Sequence, residues 1–128
     1  MTEDLVGLFE NESEVETLAP GEVLFEKGAP GNIMYVLKSG ELQIVDGSYA
    51  YETVSAGGIV GELALIDTGP RSATVRAIKQ SVVIPINKSR FMFMVQQTPF
   101  FALRVMRITS ARLRAMNEQA RELRVTTS

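Results

Sequence analysis

The sequence predicts a mainly β domain with flanking helices: an antiparallel sandwich or barrel with a short N-terminal helix before it and two C-terminal helices after it. Three observations predict this. Between Val15 and Gly58, short β-branched and aromatic runs alternate with glycine-bearing turns at close spacing, which is the pattern of many short strands. After Asn87 the hydrophobic period changes from strand-like to helical. The chain has 128 residues, enough for one core and too few for two ordinary ones.

The elements follow in order. Asp4 to Glu10 is a short amphipathic helical turn with Leu5, Val6, Leu8 and Phe9 apolar. From Val15 the strands are punctuated by "PG", "KGAPGN", "KSG", "DGS" and "AGG", each a turn signal. Gly28, Gly31, Gly40 and Gly47 are read as turn formers with no ligand role, and Tyr35, Tyr49 and Tyr51 as barrel residues. Gly61 to Ile66 is the one stretch of this region that reads better as a helical turn. "TVRAI" and "VVIPI" are two further strands, and Pro85 places the second near an edge or bulge. Asn87 is the N-cap of a helix over "KSRFMFMVQQ", and Thr98-Pro99 opens another that runs to about Arg124. The domain therefore spans 1–128, with the barrel over about 15–86, the C-terminal helices over about 88–124, and no low-complexity linker.

Composition narrows the chemistry. The chain has no cysteine and no histidine, so disulfides, thiolate zinc sites, Ser-His and Cys-His nucleophile pairs and the usual imidazole base are all excluded. The reading is of a protein that is not an enzyme and that holds no metal and no cofactor. The start "MTEDLVGLFE" lacks a basic n-region, and no apolar run approaches the roughly 20 residues that span a bilayer. A cytoplasmic protein without a membrane partner is expected. The net charge of −2 conceals a polar chain. Every charge before Lys27 is acidic, whereas the tail carries Arg104, Arg107, Arg112, Arg114, Arg121 and Arg124. These arginines are read as a solvated helix face, with an acidic surface as the alternative partner; nucleic acid is not an expected one.

The run "GELALIDTGPRSATVRA", Gly61 to Ala77, carries the chemistry. Glycine at the head of a helical turn lets a ligand approach the main chain, and the first amides of such a turn have no internal partner. Arg71, beyond the turn made by Asp67, Thr68, Gly69 and Pro70, can fold back to supply a charge-assisted bond to a phosphate. Ser72 can donate one more. Glu62 suits hydroxyls instead, because an ionised carboxylate only accepts hydrogen bonds. A phosphate beside a vicinal hydroxyl satisfies all of these groups, and a ribose phosphate has both.

This run resembles the phosphate-binding cassette of the cyclic nucleotide-binding domain family, found in protein kinase regulatory subunits, cyclic-nucleotide-gated channels and the bacterial catabolite activator protein. Upstream, "PGEVLFEKGAPGNIMYVLKSGELQIV" is similar to that family's glycine-punctuated β-roll signature and "AGGIVGE" to its approach to the cassette. The resemblance covers about Val15 to Gln97. It implies a β-roll or jelly-roll barrel with a cassette helix and a ligand that is cAMP or cGMP, cAMP being favoured. It also implies that Arg71 pairs with the exocyclic phosphate oxygens and Glu62 accepts from the ribose 2'-hydroxyl. Gly61, Leu63 and Ala64 would offer backbone contacts, with Ser72 and Ala73 lining the opposite side. Val60 departs from the family, which often has phenylalanine there, and a smaller side chain is expected to loosen the packing behind the cassette.

The expected function is a stand-alone sensor or regulatory module that binds a 3',5'-cyclic nucleotide and signals through its C-terminal helix to an unidentified effector. The alternative is a dimerisation or docking module of the same fold that binds no nucleotide. Met106, Thr109, Leu113, Met116, Ala120 and Leu123 recur at steps of three and four. That stripe is open to two readings, a homodimer seam or a face packed on the chain's own barrel. By resemblance the helix also caps the base, near Asn117 or Arg121.

Overall fold

The computed structural model describes residues 8–9, 14–67 and 69–127, with side chains described as far as residue 121. Eight strands run in chain order: β1 (Glu16–Leu18), β2 (Val23–Phe25), β3 (Ile33–Ser39), β4 (Glu41–Asp46), β5 (Tyr49–Ser55), β6 (Ile59–Val60), β7 (Thr74–Ala77) and β8 (Ser81–Asn87). The helices are α1 (Leu63–Ile66), α2 (Lys88–Gln97) and α3 (Pro99–Thr127). The strands form two four-stranded antiparallel sheets, ordered β1-β8-β3-β6 and β2-β7-β4-β5. This is the expected β-roll with flanking helices. Of the expected turn from Asp4 to Glu10, only Leu8 and Phe9 fall among the described residues; the rest of that expectation, like Thr68, lies outside them.

Two apolar layers explain the strand sequences. Between the sheets lie Leu37, Leu42, Ile44, Val54, Val60, Val75 and Val83, and between the first sheet and the helices lie Met34, Val36, Ile59, Ile84, Ile86, Phe101 and Val105. Successive side chains of a strand point to opposite faces. On β3, Met34 and Val36 therefore face the helices while Leu37 faces the second sheet. Covered on both faces, "IMYVL" and "VVIPI" read as nearly continuous apolar runs. The second sheet has one open face, so β4 and β7 alternate, and its outer side carries Gln43 and Arg76, joined at 2.9 and 3.2 Å.

Pro85 sits in β8, an inner strand of its sheet. It is tolerated because the β1 pairing stops at Val83, leaving Pro85 opposite Tyr35 of β3 alone. That stretch is an edge in local terms, as expected. The helix starts also match expectation: Asn87 Oδ1 accepts from the Arg90 amide at 2.8 Å, and Pro99 is the first residue of α3. No described helix is long and apolar enough to cross a membrane.

The C-terminal stripe divides. At 3.6 residues per turn, successive residues rotate by about 100°, so residues three apart on α3 stand about 60° apart around its axis. The barrel takes the face bearing Phe101, Val105 and Arg112, together with Thr109 and Met116 from the edge of the stripe. Met106 and Leu113 remain 58% and 43% exposed. The stripe that the sequence left open between a homodimer seam and a barrel face thus divides over two faces, and Leu123 lies beyond the described side chains.

Candidate functional site

Between the two sheets, Gly61, Glu62, Leu63, Ala64, Arg71, Ser72 and Ala73 line one cleft, with Phe25, Ile44, Val60, Val75 and Met116 supplying apolar wall. The cleft encloses about 390 Å³, part of it open to solvent. Every site residue expected from sequence is therefore brought to one place. None of Tyr35, Tyr49 and Tyr51 lines it. Tyr49 and Tyr51 stack on each other at 5.6 Å.

Gly61 begins the cassette with φ +78, a left-handed conformation that other residues reach at a cost. The chain turns there into α1, whose first bonds are Ala64 N–H to Gly61 O at 3.3 Å and Leu65 N–H to Glu62 O at 3.0 Å. Val60, the departure from the family pattern, is 1% exposed and belongs to the inter-sheet core.

Arg71 does fold back over the cassette. Its backbone is clamped by the β2–β3 loop, with its N–H donating to Ala29 O at 2.9 Å and its carbonyl accepting from Gly28 N–H at 2.8 Å. Its side chain is 7% exposed and lies 3.9 Å from the centre of the Phe25 ring. Nη1 reaches Gly61 O at a long 3.4 Å, and Nε is buried with no hydrogen-bond partner. No carboxylate among the described residues pairs with it. Burial pushes its pKa below the ordinary arginine value, opposed by the Tyr35 hydroxyl. An unsatisfied buried cation is costly, and this one faces an open cleft.

Glu62 is 1% exposed and is engaged from a direction the sequence did not suggest. Arg112 of α3 places Nη1 2.9 and 3.1 Å from its two carboxylate oxygens, and the Thr109 hydroxyl donates to Oε2 at 3.2 Å. The same guanidinium holds Glu52 of β5 through Nε at 2.8 Å and Nη2 at 3.1 Å, and Nη2 also donates to Ile59 O at 2.9 Å. Burial alone would lower the Arg112 pKa, but hydrogen bonds and charge from Glu52 and Glu62 outweigh it and hold the guanidinium above its ordinary value.

Arg112 thus departs from the reading of the tail arginines as solvated. Met116 and Arg112, rather than Asn117 or Arg121, are the α3 side chains at the cleft. The signal for both was available: Phe101, Val105, Thr109, Arg112 and Met116 follow at steps of four, four, three and four, so an arginine stands in phase with an apolar stripe. Among the described residues, no cluster of carboxylates is placed to hold a metal.

The sequence profile of the cyclic nucleotide-binding domain family matches residues 15–98. A cAMP-dependent protein kinase regulatory subunit of Hypocrea atroviridis is 36% identical over 78 residues, covering 61% of this chain and 17% of that protein. A cGMP-dependent protein kinase of Toxoplasma gondii is 32% identical over 88 residues, covering 69% of this chain and 9% of that protein. The chain spans only a small part of these relatives. Among solved structures, Sp-2Cl-cAMPS bound to PKAR CBD2 has the same fold, with a TM-score of 0.76 at 19% identity over 92% of this chain and 86% of that one.

Proposed function

Because the chain belongs to the cyclic nucleotide-binding domain family, we propose that its cleft binds a 3',5'-cyclic nucleotide, with Arg71 on the phosphate and Glu62 on the ribose 2'-hydroxyl. Gly61, Leu63 and Ala64 offer main-chain contacts, Ser72 and Ala73 form the facing wall, and Met116 covers the base. The observation that carries this reading is the Arg71 guanidinium, buried at the cleft with an unpartnered Nε. An anionic ligand supplies the missing partner.

The module acts as a regulator in the cytoplasm and catalyses no reaction. Its output is α3, since the carboxylate that meets the ribose is the one Arg112 and Thr109 hold. An ionised carboxylate has about four acceptor sites, so Glu62 can take a hydroxyl and keep Arg112. The ligand biases the helix to the extent that it binds its alternative positions unequally. The favoured ligand is cAMP: the apolar walls from Ile44, Val75 and Met116 penalise the additional polar groups of guanine.

Titration calorimetry with cAMP and cGMP tests the proposal. Ligand at about a hundred times its dissociation constant adds roughly 2.7 kcal/mol of stability, a melting shift of several degrees. Absence of heat and of any shift at millimolar ligand would favour the second reading, a ligand-independent docking or dimerisation module. The exposed Met106 and Leu113 favour that reading, and they are also the surface through which a homodimer or an effector would meet α3.

A further inference from the structure

We propose that Phe25, at the end of β2 and in the wall of the cleft, is the positioning residue for Arg71: its ring holds the guanidinium so that the free donors meet the cleft already oriented. The inference rests on the reading of Arg71 as the phosphate partner, and deepens it by naming what keeps a buried, unpaired cation in place when the cleft is empty.

Three observations meet at this point. The Arg71 Cζ lies 3.9 Å from the Phe25 ring centre, inside the distance at which a cation is attracted to the negative face of an aromatic ring. The Phe25 ring is itself paired with Tyr35, with centroids 6.3 Å apart and 27° between the planes, so a second ring neighbours it in the core. Gly31 then closes the loop onto the same group. A Cβ added there would lie 2.6 Å from Nη2 and collide with Nε and Cζ. Gly31 is therefore more than a turn former, because its missing side chain is the space Arg71 occupies.

The chemistry of the arrangement is specific. Arg71 has one long hydrogen bond, to Gly61 O at 3.4 Å, and an Nε without a partner. Hydrogen bonding does not fix its side chain. The ring attracts the charge without consuming a single N–H donor, which leaves the planar fork available for a bidentate phosphate contact. A carboxylate in the place of Phe25 would hold the guanidinium more strongly but would compete with the ligand for it. Preorganisation of this kind raises affinity by lowering the ordering cost at binding.

The test uses the full chain as parent and as Phe25→Met, Phe25→Tyr and Phe25→Trp. Methionine keeps the apolar volume and removes the ring; tyrosine and tryptophan restore a ring. Phe25→Met should weaken cAMP binding about tenfold, from the energy of a desolvated cation–ring contact, and both aromatic variants should stay within about threefold of the parent.

The second readout needs no nucleotide. In the empty protein the Arg71 Nε–H proton resonance should lie upfield of those of exposed arginines through the ring current, and should move downfield in Phe25→Met alone. Equal shifts in parent and Phe25→Met overturn the stack itself. A shifted resonance with unchanged cAMP affinity overturns the positioning role. If the parent binds neither cAMP nor cGMP, the ligand reading falls and takes this role with it, while the resonance still reports whether ring and guanidinium meet.

Discussion

Removing the Arg112 side chain is the most revealing perturbation, because that guanidinium ties α3 to both β5 and the cassette. The two halves of that connection are unequal. Glu52 is 35% exposed on its side chain, and an ion pair open to water contributes about 0–1 kcal/mol. Glu62 is 2% exposed on its side chain. Without Arg112 it becomes a buried carboxylate with the Thr109 hydroxyl as its remaining side-chain donor among the described residues. Breaking a buried pair from one side costs about 3–5 kcal/mol, against a typical total stability of about 5–15 kcal/mol. Arg112→Met should therefore lower the melting temperature by roughly 9–25 °C, taking about 3–5 °C per kcal/mol for a domain of this size.

The double variant Arg112→Met with Glu62→Met removes the stranded charge and should recover much of that loss, since an apolar pair often replaces a buried ion pair at little cost. Urea unfolding of parent, both single variants and the double variant measures the coupling, expected at about 1–3 kcal/mol. Arg112→Met within about 0.5 kcal/mol of the parent, or a double variant equal to the sum of the singles, would refute the reasoning.

Arg71→Met should weaken cyclic nucleotide binding at least about thirtyfold, from the roughly 2–5 kcal/mol carried by a sequestered charge pair, yet leave unfolding stability equal to or above the parent. A stability loss above about 1 kcal/mol in the empty protein would mean the guanidinium is structural. Deleting the residues after Arg112 removes Met116 from the cleft and should leave a folded barrel with reduced nucleotide affinity and no dimer; calorimetry and sedimentation decide, and unchanged mass with unchanged affinity would exclude α3 as lid or seam. A hydrogen bond from Lys27, 2.7 Å from Asp46, holds that carboxyl below its ordinary value, 3.8. A depressed carboxylate pKa stabilises the fold above the unfolded value and loses that contribution as pH falls through the folded one. The small stability difference between parent and Lys27→Met should thus be flat from about pH 5 to 8 and shrink below about pH 4, as read from urea midpoints.

Legible in the residues alone were the order of strands and helices from Glu16 onward, the helix starts at Asn87 and Pro99, and the run from Gly61 to Ala73 whose two ends line the cleft. Those features rest on local rules: an Asn side chain that reaches its own helix amide, a proline with no N–H to lose, and a glycine free to take φ +78. A cassette built from residues ten apart is nearly a local motif as well. The contacts whose partners lie far apart in the chain came into view with the packed fold. Arg112 meets Glu62 and Glu52 across separations of 50 and 60 residues, and Arg71 of the cassette meets Phe25 of β2. An arginine in a basic tail is by composition a solvated residue, and it became buried because the barrel chose which side of α3 to cover. The stripe at steps of three and four was equally legible, but its two sets of positions stand about 60° apart around the helix axis. The packing angle of α3, absent from the sequence pattern, assigned Thr109 and Met116 to the barrel and left Met106 and Leu113 exposed.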